Sequence, residues 1–444
     1  MLQLLYFVIV TSFLYPVKLN YNPHSDYFFK KKGKEMSKNL LMDMLQEDDK
    51  LGLFTSNGVD ISYRTGFMLL DYPMGYYVNI FDKENNIVDR YAALGIMGGT
   101  IVSIIGRAHT GKTTLAIQLG SNIVRPFPSG SVIHFDLEGG SNKTRLSNVS
   151  KFVPSDIRDN KKYIYKNPGS TLEDMKMSIA KIYTIKKANP DLFLYQSGVK
   201  DEFGEEIIAY VPTVIIIDSV PRISMGINEG TKDGMKALEE LSSQTERMRL
   251  TAAIGRFLNE IIPMCRSTNI TIFLINHIKT RPGMGVPQAP ELRYLKQDET
   301  LPGGKAVDYY TNVMLKIVSV GKEKYNVEEH GFDGFGATIQ FVKNRTNKDG
   351  TIMPMVFNKD KGYDNLRSNV MFAKQQGLIG GNKNGLYFNS HKEKKFKFTT
   401  IHDDFKNDRD LFKIMNENLI PILEPMLSSA SPIDEPIMEE EFSY

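Results

Sequence analysis

The chain has 444 residues, enough for a full-size hydrophobic core with one or two smaller units. Its apolar fraction of 41% and charged fraction of 24% are ordinary for globular proteins and exclude a wholly disordered chain. The net charge of +3 is too small to indicate nucleic-acid binding by itself, so any such surface must come from local clustering. The single cysteine, Cys265, excludes an internal disulfide framework and fits a reducing cytoplasmic compartment.

The first 35 residues differ from the rest of the chain. The apolar stretch from Leu2 to Val17 is too short to span a bilayer comfortably, and lysines follow it rather than precede it, unlike a secretory signal. A membrane anchor is one interpretation of this stretch. We favour another, because Lys-Lys-Lys-Gly-Lys-Glu before Met36 would have purine-rich codons, as a ribosome-binding site has. Translation would then begin at Met36, residues 1–35 would be a non-native or disordered leader, and we expect no membrane partner.

From Gly99 onward, short apolar runs alternate with helical patterns. The runs of strand length are Ile101–Ile105, Val132–Phe135, Val214–Ile217, Ile270–Ile275 and Val313–Val318. The helical patterns are Thr113–Val124, Leu172–Ile185 and a longer one around Lys236–Arg266. Apolar strands without polar alternation are typical of a sheet covered on both faces, and alternating helices indicate parallel crossover connections. The sequence therefore predicts an α/β fold with a largely parallel twisted sheet flanked by helices.

Two other regions have patterns of their own. Residues 191–210 contain two short apolar runs on either side of a Ser-Gly pair, which predicts a β-hairpin at the edge of the sheet. The pattern becomes mixed and more basic after Gly350. Beyond Lys413 there is no Lys or Arg but several acidic residues, which predicts a flexible acidic tail.

Residues 106–113 read Gly-Arg-Ala-His-Thr-Gly-Lys-Thr between a predicted strand and a predicted helix. This context is specific for a phosphate-binding loop, whose glycines let backbone N–H groups turn towards phosphates at a helix N-terminus. Lys112 would reach the β- and γ-phosphates, and the Thr113 hydroxyl would bind Mg²⁺. We therefore predict ATP and Mg²⁺ as cofactors. The residues expected around the nucleotide are Gly106, Arg107, Ala108, His109, Thr110, Gly111, Lys112, Thr113 and Thr114.

Acidic residues end two of the predicted strands. Asp218 follows Val214-Ile-Ile-Ile, where a carboxylate lies beside the phosphates and can hold Mg²⁺. Asp136 and Glu138 end the Val132 strand, and because alternate residues share a face, both can lean into the same site. Glu138 lies further out and is the better candidate to position or deprotonate an attacking water. The alternative is that Glu138 is a solvated acid of the following turn.

These motifs, in this order, resemble the RecA family of DNA strand-exchange ATPases, with the phage UvsX-type recombinases most similar. Asp218-Ser-Val resembles the end of the family's second nucleotide strand, and Phe135-Asp-Leu-Glu resembles its Asp-x-Glu, whose glutamate is the hydrolytic base. Leu274-Ile-Asn-His-Ile resembles a strand ending in Ile-Asn-Gln-Ile, where the glutamine senses the γ-phosphate. His277 stands in place of that glutamine. It can still donate to phosphate, or it can be a strand-end histidine with only local partners.

Leu301-Pro-Gly-Gly-Lys-Ala-Val resembles the Gly-Gly-Asn-Ala segment that closes the family's second DNA-binding loop. The resemblance implies that residues 279–303, here the second DNA segment, contact DNA. Basic residues there can neutralise phosphates, and Tyr294 can stack on bases or pack at the base of the segment. By the same likeness, residues 224–245 are the first DNA segment, where only Arg222, just before it, is a candidate contact. The expected DNA contacts are Lys279, Arg281, Arg293, Tyr294, Lys296, Lys305 and Arg222.

Phe341-Val-Lys-Asn-Arg-Thr ends the last predicted core strand. In the RecA family a Lys-x-Lys at this place reaches the γ-phosphate of the neighbouring subunit. Lys343 and Arg345 match it and, two residues apart, share one face of the strand. The resemblance implies that this basic pair acts in trans, although without the other motifs it would be an ordinary surface pair. By its position after Glu138, Arg145 falls where the family stacks an aromatic ring on adenine, and a guanidinium can stack too.

The resemblance implies a RecA-type ATPase core at residues 96–346. A small N-terminal oligomerisation region at 36–95 would precede it, and a small C-terminal domain at 347–413 and the acidic tail at 414–444 would follow. The implied function is a DNA-dependent ATPase that forms helical homo-oligomeric filaments on single-stranded DNA. It would pair them with homologous double-stranded DNA and exchange strands, with a single-strand-binding protein and a mediator as further partners.

Two other functions are alternatives to a recombinase. A DnaB- or RadA-type ring helicase shares the core and a basic residue acting in trans, and Lys343-Asn-Arg fits it. The Gly303-Gly-Lys-Ala segment and Asp136-Leu-Glu138 suit a recombinase better. A non-catalytic recombination mediator would not need an intact phosphate loop, catalytic acid and basic pair. The expected location is the cytoplasm, or the host-cell cytoplasm for a phage protein.

Overall fold

The computed structural model describes residues 61–166, 169–223, 244–280, 292–318 and 324–428. Several sequence predictions lie wholly or partly outside these residues: the leader, residues 36–60 of the N-terminal oligomerisation region, almost all of the first DNA segment, Arg281 within the second, and the end of the acidic tail. The described residues include the phosphate loop and every other residue predicted at the nucleotide.

Each of the five predicted core strands, and the described part of each predicted helix, corresponds to an element of the structure, which has further elements that were not predicted. The helices are α1 (Met68–Met74), α2 (Lys112–Val124), α3 (Lys143–Ser150), α4 (Pro154–Arg158), α5 (Leu172–Ala188), α6 (Pro190–Phe193), α7 (Gln244–Thr268), α8 (Gly304–Tyr310), α9 (Val327–His330), α10 (Asn365–Gln375), α11 (Ile401–Asn407) and α12 (Asp410–Leu423), with 3₁₀ turns at Val220–Arg222 and Glu424–Met426.

The strands are β1 (Ser62–Tyr63), β2 (Tyr76–Phe81), β3 (Ile87–Ala93), β4 (Ile96–Met97), β5 (Ile101–Gly106), β6 (Ser131–Asp136), β7 (Tyr163–Lys166), β8 (Leu194–Lys200), β9 (Glu206–Tyr210), β10 (Thr213–Asp218), β11 (Ile270–His277), β12 (Lys279–Thr280), β13 (Glu299–Thr300), β14 (Val313–Val318), β15 (Lys324–Tyr325), β16 (Gly334–Asn344), β17 (Ile352–Asn358), β18 (Gly362–Asp364), β19 (Ile379–Asn382) and β20 (Gly385–Phe388).

A mixed central sheet organises the fold. Within the described residues it has ten strands, in the order β18-β17-β16-β14-β5-β11-β10-β6-β7, with β15 paired to β16. The six adjacent strands β14, β5, β11, β10, β6 and β7 run parallel to one another. The pairs β14–β16, β15–β16, β16–β17 and β17–β18 are antiparallel. The predicted α/β class is therefore confirmed, with a mostly parallel sheet flanked by helices.

Both faces of this sheet are covered, which is why its strands read as continuous apolar runs. On β10, Val214 and Ile216 belong to one hydrophobic cluster together with Leu115 and Leu119 of α2. Ile215 and Ile217 point the other way, into a cluster that includes Ile179 of α5 and Phe257, Leu258 and Ile261 of α7. Each such fully buried aliphatic side chain stabilises the fold by roughly 1.5–3 kcal/mol.

The predicted hairpin at residues 191–210 is present as β8 and β9, which pair antiparallel. Among the described strands these two form a sheet of their own rather than extending the central one. The hairpin contacts a second one, β2–β3: the Phe81 N–H donates to Glu202 O at 2.9 Å, and the Tyr91 hydroxyl donates to Lys200 O at 2.7 Å. The two hairpins therefore dock on each other beside the core.

The central sheet continues past residue 346, the expected end of the core, because β17 and β18 extend it to Asp364. The helices that follow pack on this extension, and a buried ion pair fixes the first of them: Arg367 Nη1 lies 2.7 Å from Asp364 Oδ2. His402 Nε2 contacts the same oxygen at 2.7 Å. Within the described part of the chain, no helix combines the length and apolar character needed to cross a membrane.

Candidate nucleotide site at the carboxyl edge of the sheet

The phosphate loop connects β5 to α2 at the carboxyl edge of the parallel strands. The backbone turns at Gly111, whose φ of 84° suits glycine, immediately before α2 begins at Lys112. Arg107, Ala108 and His109 are exposed, whereas Thr110, Lys112 and Thr114 are buried. The backbone N–H groups that begin α2 make this segment a ready anion site.

The conserved chemistry of such a loop depends on its lysine, and Lys112 is 4% exposed. Its Nζ donates to Arg107 O at 2.6 Å. Burial lowers the pKa of Lys112 to about 8, against the opposing effect of the Asp218 and Glu138 carboxylates. A phosphate would offer this ammonium a charged acceptor and so favour its protonated form.

Asp218 and Thr113 form the candidate Mg²⁺ site. The Thr113 hydroxyl donates to Asp218 Oδ2 at 2.6 Å. Asp218 Oδ1 is buried and has no hydrogen-bond partner among the described residues. Burial raises the pKa of Asp218 to about 7, and the nearby Glu138 and Asp136 carboxylates add to the effect. An unpaired, buried carboxylate oxygen beside a hydroxyl fits a divalent cation, because oxygen donors of this kind are what Mg²⁺ prefers.

His134 lies behind this carboxylate. Its Nε2 is 4.0 Å from Asp218 Oδ2, and its Nδ1 is 2.9 Å from the Tyr163 hydroxyl. Burial lowers the pKa of His134 to about 4, so its ring is neutral near pH 7. It therefore adds no positive charge that would compete with a cation at Asp218.

Glu138, the predicted catalytic acid, faces the end of β11 rather than solvent alone. His277 Nε2 lies 3.0 Å from Glu138 Oε1, and the Ser219 hydroxyl donates to the same oxygen. Burial and the neighbouring Lys112 charge lower the pKa of His277, so the ring is neutral near pH 7 and contacts Glu138 as an uncharged donor. His277 therefore has a local partner, as one of its two interpretations expected, and that partner is Glu138, the predicted catalytic acid.

Asp136 lies beside Asp218 on the neighbouring strand, and its two oxygens are held by the turn that follows it. Its Oδ1 accepts from Gly139 N at 2.8 Å, and its Oδ2 accepts from Ser141 N at 2.9 Å and from the Tyr165 hydroxyl at 2.7 Å. The turn after β6 folds back so that its own N–H groups surround the carboxylate. Asp136 therefore fixes the turn that carries Glu138.

Arg145, the predicted adenine contact, lies on α3 beside the first turn of α2. Its guanidinium donates to Thr114 Oγ1 at 3.2 Å and to Lys359 O at 3.3 Å. The side chain is exposed, so its outer face is open to a ligand. This position adjoins Thr114, the residue after Thr113 of the phosphate loop.

The basic pair lies at the end of β16 and contacts the end of α8. Lys343 Nζ donates to Asp308 O and, at 3.4 Å, to Tyr309 O. Arg345 Nη2 donates to Tyr309 O at 2.6 Å. Between them, Asn344 points the opposite way and donates to Pro73 O at 2.8 Å, which fixes the strand end. Both cations share one face, as their spacing predicts, and are held near the negative end of a helix.

The second DNA segment is described at its two ends. β12 and β13 pair antiparallel, with Thr280 opposite Glu299, and Lys279, Lys296 and Lys305 are exposed. Gly303, with a φ of 81°, lies against Val220, so the 3₁₀ turn that carries exposed Arg222 adjoins the start of α8. The flanks of both DNA segments therefore lie side by side.

Two of the predicted DNA contacts have partners within the chain. Arg293 pairs with Asp349, and the Tyr294 hydroxyl donates to Asp308 Oδ1 at 2.9 Å. The Tyr294 ring packs against a small cluster that includes Ile278 and Leu295. Of the two roles left open for Tyr294, packing at the base of the segment is the one that the structure displays.

Two residues that the sequence patterns did not single out also shape the site. The Tyr363 hydroxyl donates to Thr110 O at 3.0 Å and supports the phosphate loop from behind. The Glu299 side chain, which is 4% exposed, forms an ion pair with Arg107 of the phosphate loop, with 3.3 Å between Arg107 Nη2 and Glu299 Oε1. Glu299 stands four residues before Gly303, so the Gly-Gly segment was the only nearby signal that could have marked it.

The C-terminal ends of four strands therefore bring the predicted nucleotide residues together. Register places His277 opposite Gly106, and Asp218 opposite both Ile275 and Asp136. No protein-family model matches the chain, and a search of curated proteins finds no similar sequence.

Proposed function

We propose that the chain is an ATP-dependent DNA recombinase of the RecA type, most similar to the UvsX-type enzymes. It would form filaments on single-stranded DNA in the cytoplasm and catalyse pairing and strand exchange with homologous duplex DNA. The observation that carries the proposal is the contact of Glu138 with His277 at 3.0 Å. It joins the acid beside the phosphate loop to the strand that leads into the second DNA segment.

Each residue of the site has a stated task in ATP hydrolysis. The N–H groups that begin α2 and the Lys112 ammonium bind the phosphates, and Arg145 would contact the base. Mg²⁺ held by Thr113 and Asp218 would neutralise the phosphate charge. Glu138 orients an attacking water and accepts its proton.

His277 would make this hydrolysis sensitive to DNA. It shares Glu138 with Ser219, so a change at the start of the second DNA segment alters how Glu138 is held. A displaced His277 frees Glu138 Oε1 to accept from water instead. DNA binding would then stimulate ATP turnover by adjusting the position of the general base.

The basic pair would complete the site of the neighbouring subunit. Lys343 and Arg345 contact carbonyl oxygens at the end of α8 and are not directed at the phosphate loop of their own chain. A cation supplied in trans typically accelerates phosphoryl transfer by about 10³-fold or more. Hydrolysis would then require assembly.

The experiment is a strand-exchange assay with ATP, combined with ATP hydrolysis measured with and without single-stranded DNA. We expect wild-type protein to exchange strands only with ATP, and Glu138→Gln to lose DNA-stimulated turnover by about 10²–10⁴-fold while it still binds nucleotide. Glu260→Gln, an exposed change on α7, is the matched control and should behave as wild type. Full DNA-stimulated turnover in Glu138→Gln would remove Glu138 from the mechanism.

The ring-helicase alternative rests on the same basic pair, and electron microscopy separates the two. Filaments on single-stranded DNA with a slowly hydrolysed ATP analogue are expected of a recombinase. Closed hexameric rings that unwind a forked duplex would favour the helicase. Protein without DNA-stimulated ATPase activity would instead be a non-catalytic mediator.

A further inference from the structure

An ion pair joins the phosphate loop to the returning strand of the second DNA segment. Arg107 Nη2 lies 3.3 Å from Glu299 Oε1, and Glu299 stands on β13, paired with β12. The Arg107 side chain is 63% exposed, whereas that of Glu299 is 4% exposed. The carboxylate is therefore the fixed member of the pair, and the guanidinium is the member that can move.

Glu299 is held from three directions. Its Oε2 accepts from Lys296 N at 3.1 Å and lies 3.7 Å from Lys316 Nζ. Lys316 in turn donates to Tyr294 O at 2.6 Å, which ties the same stretch of chain to β14. Burial opposes ionisation of Glu299, but the Lys296 N–H and the Lys316 and Arg107 charges outweigh it and lower its pKa.

Arg107 is at the same time connected to the phosphate-binding lysine. Its carbonyl oxygen accepts from Lys112 Nζ at 2.6 Å and from the Thr110 hydroxyl at 2.9 Å. A phosphate competes for the Lys112 ammonium, because a charged acceptor binds it more strongly than a neutral carbonyl does. Binding of phosphate would thus change the contacts of the Arg107 backbone, while the Arg107 side chain holds Glu299.

We propose that Glu299 is a positioning residue that couples nucleotide binding to DNA binding through Arg107. This inference rests on the proposed function and adds a second connection to it. His277 connects the outgoing strand to Glu138, and the Arg107–Glu299 pair connects the returning strand to the phosphate loop. The His277–Glu138 contact is at the end of β11, and the Arg107–Glu299 contact is on β13. The two contacts share no residue, so a substitution can remove either one without the other.

The test measures coupling itself, as the ratio of two dissociation constants. A fluorescent, slowly hydrolysed ATP analogue is titrated into the protein with and without an oligo-dT strand. The ratio of its two dissociation constants is the coupling factor. Titration of the DNA with and without the nucleotide must give the same factor. Coupling between sites is typically about 5- to 150-fold. The variants are Glu299→Gln, Arg107→Gln, the double variant and the conservative Arg107→Lys.

We expect Glu299→Gln and Arg107→Gln each to lower the coupling factor by about fivefold or more, leaving the part that passes through His277, and the double variant to lower it no further. Arg107→Lys, which keeps the charge, should retain most of the coupling. Glu260→Gln, which breaks a contact between α7 and Lys176 instead, should match wild type. Because Arg107 is exposed, Arg107→Gln should fold even where Glu299→Gln does not.

An unchanged coupling factor in Arg107→Gln would overturn the inference, as would losses in the two single variants that multiply in the double variant. The proposed function can survive either result, because wild-type protein would still couple the two ligands. Wild-type protein that binds no single-stranded DNA would overturn both.

Discussion

Replacing Asp218 by asparagine removes a carboxyl group that is buried at the end of β10. Burial raises its pKa from 3.8 to about 7, so the folded chain keeps a proton that the unfolded chain releases. A folded-state pKa above the unfolded one means that stability falls as the pH rises between the two values. The charge on Asp218 is therefore a cost to folding near neutral pH, which a bound cation would offset.

The size of the effect follows from the two pKa values. They differ by about three pH units, and at about 1.4 kcal/mol per unit the ionised group costs roughly 4 kcal/mol at pH 8. At pH 5 the cost is about 2 kcal/mol, because the folded chain is still protonated there. Asparagine has no such dependence, so the stability of Asp218→Asn relative to wild type should increase by roughly 2 kcal/mol from pH 5 to pH 8.

The assay is urea unfolding of both proteins, followed by circular dichroism at several pH values between about 5 and 8, without Mg²⁺ or nucleotide. Asp333→Asn, at an exposed residue that pairs with Lys359, is the control for loss of a carboxylate from the surface. A difference between Asp218→Asn and wild type that stays constant across this range would refute the reasoning. The variant should also lose Mg²⁺-dependent nucleotide binding, because the carboxylate is the only charged ligand proposed for the cation.

Two further predictions concern the strand end that carries the basic pair and the extension of the sheet. Asn344→Ala removes the hydrogen bond to Pro73 O, and the misplaced basic pair should lower kcat for DNA-stimulated ATP hydrolysis by about 10²-fold with little change in KM; an unaltered kcat would contradict this. Asp364→Asn should lower the free energy of unfolding by about 2–4 kcal/mol at pH 7, because its hydrogen bond from His402 holds the Asp364 pKa at about 2 despite burial. This stability is present above about pH 4 and is lost as the pH falls towards 2. The difference in unfolding free energy between Asp364→Asn and wild type should therefore shrink as the pH falls through this range. A difference that does not vary with pH would show that the ion pair contributes nothing.

Much of the sheet could be predicted because its strands are buried on both faces. The predicted run Ile101–Ile105 and the observed strand Ile101–Gly106 differ by one residue. A strand covered on both sides must be apolar throughout, and that pattern is visible locally. The helix after the phosphate loop was equally visible, since its sequence motif fixes where it starts.

The carboxylates of the site show where local pattern stops being informative. Asp136 and Glu138 are two residues apart, yet their partners differ: N–H groups of the turn at residues 139–141 donate to Asp136, whereas Glu138 contacts His277. The Tyr165 hydroxyl, on the neighbouring strand β7, also donates to Asp136. Nothing in the residues around Asp136 specifies this contact.

The contacts that support the phosphate loop are also non-local. Glu299 is 192 residues from Arg107, and Tyr363 is 253 residues from Thr110. Such pairs depend on the tertiary fold, since β13 lies outside the central sheet, paired with β12, and β18 is the edge strand of that sheet, separated from β5 by three strands. A sequence motif identifies the loop but not the residues that hold it in place.

The support of Thr110 by Tyr363 sets an order of events during synthesis. Residues 106–113 leave the ribosome early, but Tyr363 and Phe357, which packs beside Gly111, follow much later. At about 5–20 residues per second, the ribosome needs roughly 13–50 s to add the 253 residues between Thr110 and Tyr363. Throughout that interval a nascent chain carries the phosphate-binding motif without its rear support. The proposed ATP site would therefore be complete only after translation has passed the end of the central sheet.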